Sequence, residues 1–186
     1  MILKTERLLL RPFEESDWED YRAWFDDPEL WRMLGYRPFT CEEDFRGDFR
    51  WRLGNPCVSA LALRETGRAV GHICVGSLDP VLLDRPELRG KRAASLSFAL
   101  RRELRRQGLM SEALEALLGE LFRSGALDAA ASGYFSFNAA SAALHRKLGF
   151  RELFRHTVER RGETVEVVET LLERRAEDPA EREKQA

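Results

Sequence analysis

The chain has 186 residues, 44% hydrophobic and 33% charged, with a formal net charge of −2. That length suits one domain burying about two thirds of the surface its unfolded form exposes, and the balance is that of an ordinary globular protein. No global basic field argues for nucleic acid, and no apolar run approaches the about 20 residues a membrane span needs.

Met1-Ile2-Leu3-Lys4-Thr5 runs into a strand-like pattern without an apolar leader, so a soluble, cytoplasmic protein with no membrane partner is expected. Cys41, Cys57 and Cys74 show neither a CxxC pair nor metal-ligand spacing. Free thiols in a reducing compartment, and no metal site, are the expectation.

Leu8 and Leu10 alternate with Arg7 and Arg11 in a first half-buried strand closed by Pro12. Ser16-Asp17-Trp18-Glu19 has the form of a capping box, and Trp18, Tyr21 and Phe25 follow at helical spacing until Asp27-Pro28. Thr40-Cys41-Glu42-Glu43 repeats the signature ahead of Phe45, Phe49 and Leu53, and Gly54-Asn55-Pro56 ends that helix. Strands over Cys57–Arg64 and Ala69–Ser77 read as a hairpin joined by Glu65-Thr66-Gly67-Arg68.

After a polar stretch from Asp79 to Arg92, Ala93–Leu100 alternates as a strand. Leu114, Leu117, Leu118, Leu121 and Phe122 then form one helical stripe, ended by Gly125. A strand over Ala129–Phe137, weakened by Gly133, precedes a short helix carrying Leu144 and Leu148 with Gly149 as its C-terminal cap. Two further strands, Phe150–Glu159 and Thr164–Leu172, turn at Arg161-Gly162-Glu163. Residues 1–172 thus read as one domain. Residues 173–186 form a charged tail without apolar periodicity, expected to be frayed or disordered.

The order is one strand, two helices, three strands, a helix, a strand, a helix and two strands. Hairpins imply antiparallel pairing, and the strand-helix-strand unit from Ala93 to Phe137 implies one parallel crossover. A mixed, mostly antiparallel α/β (α+β) sheet flanked by helices is predicted.

Between Arg85 and Arg106, eight Lys or Arg stand against Glu87 and Glu103 alone. This excess suits an anionic ligand, although a solvated charged face has the same pattern. The junction after the Ala93–Leu100 strand is more informative. An arginine-rich turn containing Gly108 delivers backbone N–H groups to a helix start, where four donors lack intrahelical partners. With the positive end of the helix dipole, they form an anion site. Gly108 has no Cβ, so a phosphate can approach its backbone closely. A plain structural turn has the same local sequence.

Arg105-Arg106-Gln107-Gly108-Leu109-Met110 resembles the R/Q-x-x-G-x-G/A signature of the GNAT superfamily of acyl-CoA N-acyltransferases. Its extension Ser111-Glu112-Ala113 resembles the GxMTEA wording of the branch that includes ribosomal-protein N-terminal acetyltransferases. Thr5-Glu6-Arg7-Leu8-Leu9-Leu10-Arg11-Pro12 is similar to that branch's opening strand. Asn138-Ala139-Ala140-Ser141 with Lys147-Leu148-Gly149-Phe150 is similar to its N-x-x-S…K-L-G-F segment. These matches fall in family order and spacing over nearly the whole chain to about Leu172.

The resemblance implies a coenzyme A cleft between two splayed parallel strands, with acetyl-CoA as cosubstrate, no metal, and an amine acceptor. Backbone groups of Gln107, Gly108, Leu109, Met110 and Ser111 would cradle the pyrophosphate. The main chain at Phe98 and Leu100 would pair with the pantetheine, and Asn138 would hold it from the opposite strand. Arg105, Arg106 or Lys147 would meet the ribose phosphate. Trp24, Phe25, Trp31 and Tyr36 fall where the family builds its acceptor wall, although such aromatics equally suit a core.

Acyl transfer from a thioester to an amine needs a neutral amine, a polarised carbonyl and a proton for the leaving thiolate. It needs no covalent intermediate, so the lack of a Ser-His-Asp or Cys-His pattern is no objection. The chain departs from the family where Ser95 stands at the usual place of a base glutamate, and where Met110 occupies the second small position of the signature. Ser141 and His145 are four residues apart on one helix face, and His145 aligns with a tyrosine acid of several members. His145, with Ser141 as the alternative, is therefore expected to protonate the thiolate. With Ser95 in the glutamate's place, either another carboxylate substitutes, or bulk water takes the amine's proton, or the domain is degenerate and binds acyl-CoA without turnover. The amine itself, a protein N-terminus or a small molecule, is not spelled by any motif.

Overall fold

A computed structural model describes residues 1–35 and 37–174. One eight-stranded sheet runs through it in the order β1-β2-β3-β4-β5-β6-β8-β7, where β1 is Leu3–Lys4, β2 Leu8–Arg11, β3 Val58–Leu63, β4 Ala69–Gly76, β5 Ala93–Leu100, β6 Ala129–Phe135, β7 Arg151–Arg160 and β8 Glu163–Glu173. Every neighbouring pair is antiparallel except β5 and β6. The mixed sheet with one parallel crossover is as the sequence predicts. β1 is an addition, a two-residue edge too short for a periodicity to show.

The helices are α1 (Trp18–Phe25), α2 (Pro28–Leu34), α3 (Glu42–Leu53), α4 (Leu109–Arg123) and α5 (Ala139–Leu148). Three helices rather than two therefore separate β2 from β3. Asp27-Pro28 ends α1, as expected, but it also starts α2: the Asp27 side chain accepts from Glu29 N, and Pro28 at the first helical position loses no bond. Both capping boxes shift. Before α1, Asp17 Oδ2 accepts from Glu14 N at 2.9 Å, and Ser16 caps nothing. Before α3, Asp44 rather than Glu43 accepts from Thr40 N, at 3.3 Å.

The two sheet faces carry separate cores. On one, Leu109, Met110, Leu114, Leu117 and Leu118 of α4 pack on Leu8, Leu61, Ile73 and Leu96, each such burial worth about 1.5–3 kcal/mol. On the other, Trp24, Phe25 and Trp31 are about 98% buried with Tyr21, Phe45 and Phe49. A third cluster on that second face seats Leu82 and Leu88, from 3₁₀ turns in the 79–92 stretch, against Ala129, Ala131 and Leu171.

β7 and β8 join through Arg161 and Gly162, at φ 57° and 83°; two positive φ values are what a tight hairpin turn requires. β8 continues to Glu173, which accepts from Lys91 and Arg151, and Arg174 N donates to Asp128 O. Those two residues belong to the domain rather than to a tail. Residues 175–186, the rest of the expected tail, lie outside the described residues, as does Tyr36.

Candidate active site

The parallel pair β5 and β6 is joined only from Ala93 to Ser95 and from Ala129 to Ala131. Beyond that the strands diverge. Ser132 Oγ donates to Leu96 O at 3.1 Å and Thr170 Oγ1 to Ser132 O at 2.6 Å, pinning the apex of the splay. The β5 edge from Ser97 to Leu100 is left without a strand partner on that side. A cleft of about 1390 Å³ opens there and is lined by residues from both faces of the sheet. Single-ligand pockets run about 300–1,000 Å³, so this one has room for two substrates.

On the α4 face, the cleft meets the arginine-rich turn. Gly108, at φ 80°, is the N-terminal cap of α4 and supplies no side-chain cap. The first i→i−4 bond runs from Glu112 N to Gly108 O at 3.0 Å, so the N–H groups of Leu109, Met110 and Ser111 precede the helical ladder. Those three residues line the cleft with Gly108, Arg105 and Arg106. Positive dipole and free donors together make an anion site on a 15-residue helix. Arg106 holds φ 63° without being glycine, a strain that surrounding structure must maintain.

The turn is braced from behind. Arg7 donates to Gln107 O at 2.9 Å and to Glu112 Oε2 at 2.7 Å, and Glu112 also accepts from Arg7 N and Thr5 Oγ1. Burial alone would raise the Glu112 carboxyl, but the Thr5 and Arg7 bonds outweigh it and hold it below the usual carboxylate range. A group with a lowered folded pKa stabilises above its unfolded pKa and loses that contribution as pH falls, so this brace weakens in acid.

The opposite face is floored by small residues. Register places Cys74 beside Ser97, Gly76 beside Ser95, and Gly133 beside Glu169. Glu169 is 6% exposed, lines the cleft, and accepts from His156 Nε2 at 2.9 Å. A Cβ on Gly133 would stand 2.8 Å from Glu169 Oε2, so the glycine makes space for the carboxylate. The result is one buried carboxylate reaching the splay from the face opposite the anion turn.

A family model, "Acetyltransferase (GNAT) domain", matches residues 7–151. The chain belongs to the GNAT acetyltransferase family. An N-acetyltransferase 9-like protein of Caenorhabditis briggsae is 25% identical over 155 residues, 80% of this chain and 77% of that protein. A GNAT-family acetyltransferase structure from Bacillus anthracis superposes with a TM-score of 0.81 at 22% identity, covering 94% of this chain and 99% of that one. A ribosomal-protein-alanine acetyltransferase from Vibrio fischeri gives 0.71 at 16%, covering 96% and 100%. The two structures share the fold, and the chain is an acyl-CoA N-acyltransferase.

Within this GNAT fold, most residues singled out in the sequence converge on the cleft: Phe98, Leu100, Arg105, Arg106, Gly108 to Ser111, Asn138, Ser141 and Lys147 all line it. Gln107 does not; its side chain donates to Glu103 O and its carbonyl faces Arg7. Arg105 lies in the cleft but is held by Leu100 O at 2.9 Å and Asp27 at 3.1 Å. Trp24, Phe25 and Trp31 form core instead of an acceptor wall, and Leu30, Met33 and Leu34 of α2 line the cleft in their place.

His145 is displaced from the expected role. It is 2% exposed, lies off the cleft lining, and packs against Phe98, Tyr134 and Phe150. Nδ1 donates to Ser141 O at 2.7 Å, and Nε2 is buried without a partner. Burial lowers its pKa despite the Ser141 carbonyl, disfavouring the imidazolium form, and the ring does not reach the cleft lining. It touches the site only through Ser141, whose Oγ is 3.3 Å from Nδ1. Ser95 is also structural: its Oγ accepts from Asp79 N at 2.9 Å and anchors the following loop.

Asn138 has a second task. Its Oδ1 accepts from Ser141 N at 3.0 Å as the cap of α5. Asn138→Ala should therefore destabilise by about 1 kcal/mol as well as raise the KM for acetyl-CoA. Melting curves and initial rates check the pair; a change in one alone would assign the residue a single role.

Glu169 is the residue that sequence reasoning missed. A signal was available: Val165, Val167 and Leu171 alternate on one face of β8, and Glu169 breaks that apolar series at an inward position.

Proposed function

We propose that the protein transfers an acetyl group from acetyl-CoA directly to a primary amine, either a protein N-terminus or a small molecule. The observation that carries this reading is the Glu169 carboxylate lying across the splayed strands from the first-turn N–H donors of α4. GNAT acetyltransferases use acetyl-CoA, and the anion turn suits its pyrophosphate.

In this mechanism the N–H groups of Leu109, Met110 and Ser111 hold the pyrophosphate, with Arg106 and Lys147 as cations on the same side. The free β5 edge at Phe98 and Leu100 receives the peptide-like pantetheine by main-chain pairing. A β5 N–H polarises the thioester carbonyl. Glu169, oriented by His156, takes a proton from the amine arriving on the opposite face. The C–N bond forms, the C–S bond breaks, and Ser141 Oγ relays a solvent proton to the departing thiolate, taking one from water as it gives one up. The alternative of a degenerate acyl-CoA-binding domain rests on Ser95 replacing the usual base, and the Glu169 carboxylate in the cleft favours turnover over it.

Thiol release with a panel of amines, followed by mass spectrometry of the products, tests the reading. Acetylated amine supports it; CoA binding without thiol release from any amine refutes it. Among the described residues no cluster of three His, Cys, Asp or Glu side chains is arranged to hold a metal. Turnover should persist after EDTA treatment, and activity lost to chelation and restored by a divalent ion would contradict the mechanism.

A further inference from the structure

We propose that the acceptor is the N-terminus of a polypeptide carrying acidic residues at roughly its third to fifth positions, held by an arginine rim at the mouth of the cleft. This rests on the acetyl-transfer reading of the same cleft and narrows it.

The arginines around α2 divide by position. At the start of α2, Arg102 and Arg105 are held by Glu29 and Asp27 at 3.1–3.6 Å. From its last turn onward the pattern stops: Arg32, Arg37, Arg160 and Arg161 have no carboxylate within 4.0 Å among the described residues. They share one region. The Arg32 guanidinium sits 4.4 Å from the Phe137 ring centroid, and Phe137, exposed at 43%, stacks on Phe135 at 5.4 Å. A Cβ on Gly35 would lie 2.5 Å from the Phe135 ring and 3.4 Å from Arg160 Cδ. Arg161 follows, and with Arg37 it lines an adjoining shallow cavity of about 420 Å³.

On the β7–β8 hairpin, Glu159 Oε1 accepts from Thr164 Oγ1 at 2.5 Å, and Glu163 makes no ion pair among the described residues. Against the two hairpin carboxylates, Glu159 and Glu163, the latter opposite Arg160 in register, the four arginines leave a local excess of positive charge. They repel one another until an anion arrives.

Position decides the kind of anion. Arg160 lines the main cleft, and its parity on β7 puts it on the face of His156 and Val158. His156 is bonded to Glu169, so the strand itself measures the separation. Four residues from His156 to Arg160 span about 13 Å at roughly 3.3 Å each. A small amino acid cannot place its amine at Glu169 and its carboxylate so far away. An extended peptide, advancing about 3.3–3.6 Å per residue, brings its third to fifth side chains to the rim.

The test compares two peptides with the same first two residues, Ala-Ala, followed by Asp-Glu-Asp in one and Asn-Gln-Asn in the other. The acidic peptide should show a kcat/KM at least about tenfold higher at low ionic strength, the advantage shrinking as salt is added. Changing Arg160→Gln and Arg161→Gln together should remove that advantage with the KM for acetyl-CoA unchanged. Arg160→Glu with Arg161→Glu should reverse it. Equal kcat/KM for the two peptides, or an advantage surviving in the double glutamine variant, overturns the proposal. Acetylation of small amines but of neither peptide also overturns it, while leaving the acetyltransferase reading standing. Absence of thiol release with every amine defeats that reading, and this proposal with it.

Discussion

Gly108→Val should raise the dissociation constant for CoA at least about tenfold, or about 1.4 kcal/mol. Gly108 holds φ 80° at the cap of α4, a conformation that a β-branched residue adopts only under strain. Its Cβ would stand 3.5 Å from the Arg7 side chain that bonds the preceding carbonyl. That contact is an ordinary one, so the cost is the backbone strain, and its relief would come from the turn itself, moving the N–H groups of Leu109, Met110 and Ser111 off a common target. Calorimetry with CoA reads the affinity, and a melting curve confirms that the variant is folded. A folded variant with wild-type affinity would move the pyrophosphate elsewhere. Glu112→Gln acts on the same turn through its brace and should weaken CoA more mildly.

The anion turn was legible because its determinants are local: a glycine, a helix start and the apolar stripe that fixes the helix. The sheet was legible for the same reason, since alternation and glycine turns marked seven of its eight strands. What failed depended on context that a linear pattern does not contain. Asp27-Pro28 was read only as a stop, yet proline at the first helical position also begins α2. Four helical residues separate Ser141 and His145 by about 40° of rotation, so sharing a face did not say which of them reaches the cleft. Packing by Phe98, Tyr134 and Phe150 settles that against the histidine. Glu169 was missed because the search for a base followed β5, where Ser95 stands, while the carboxylate arrives from β8 through the gap at Gly133.

Glu169→Gln should lower kcat by 10²–10⁴-fold, the usual cost of losing a general base, with CoA affinity retained because the pyrophosphate turn lies on the other face. Glutamine conserves the volume and can still accept from His156, so the change removes basicity more than structure. The pH profile should change with it. Once the base is gone, the variant's rate should track the free-amine fraction, rising about tenfold per pH unit below the amine's own pKa. Gly133→Ala provides a control that keeps the carboxylate: its Cβ would stand 2.8 Å from Glu169 Oε2 and displace it, so kcat should fall although no titrating group is lost. Ser141→Ala should lower kcat as well, because the thiolate then leaves without its proton donor. A Glu169→Gln enzyme with near-normal kcat and an unchanged pH profile would mean that water, rather than this carboxylate, takes the proton from the amine.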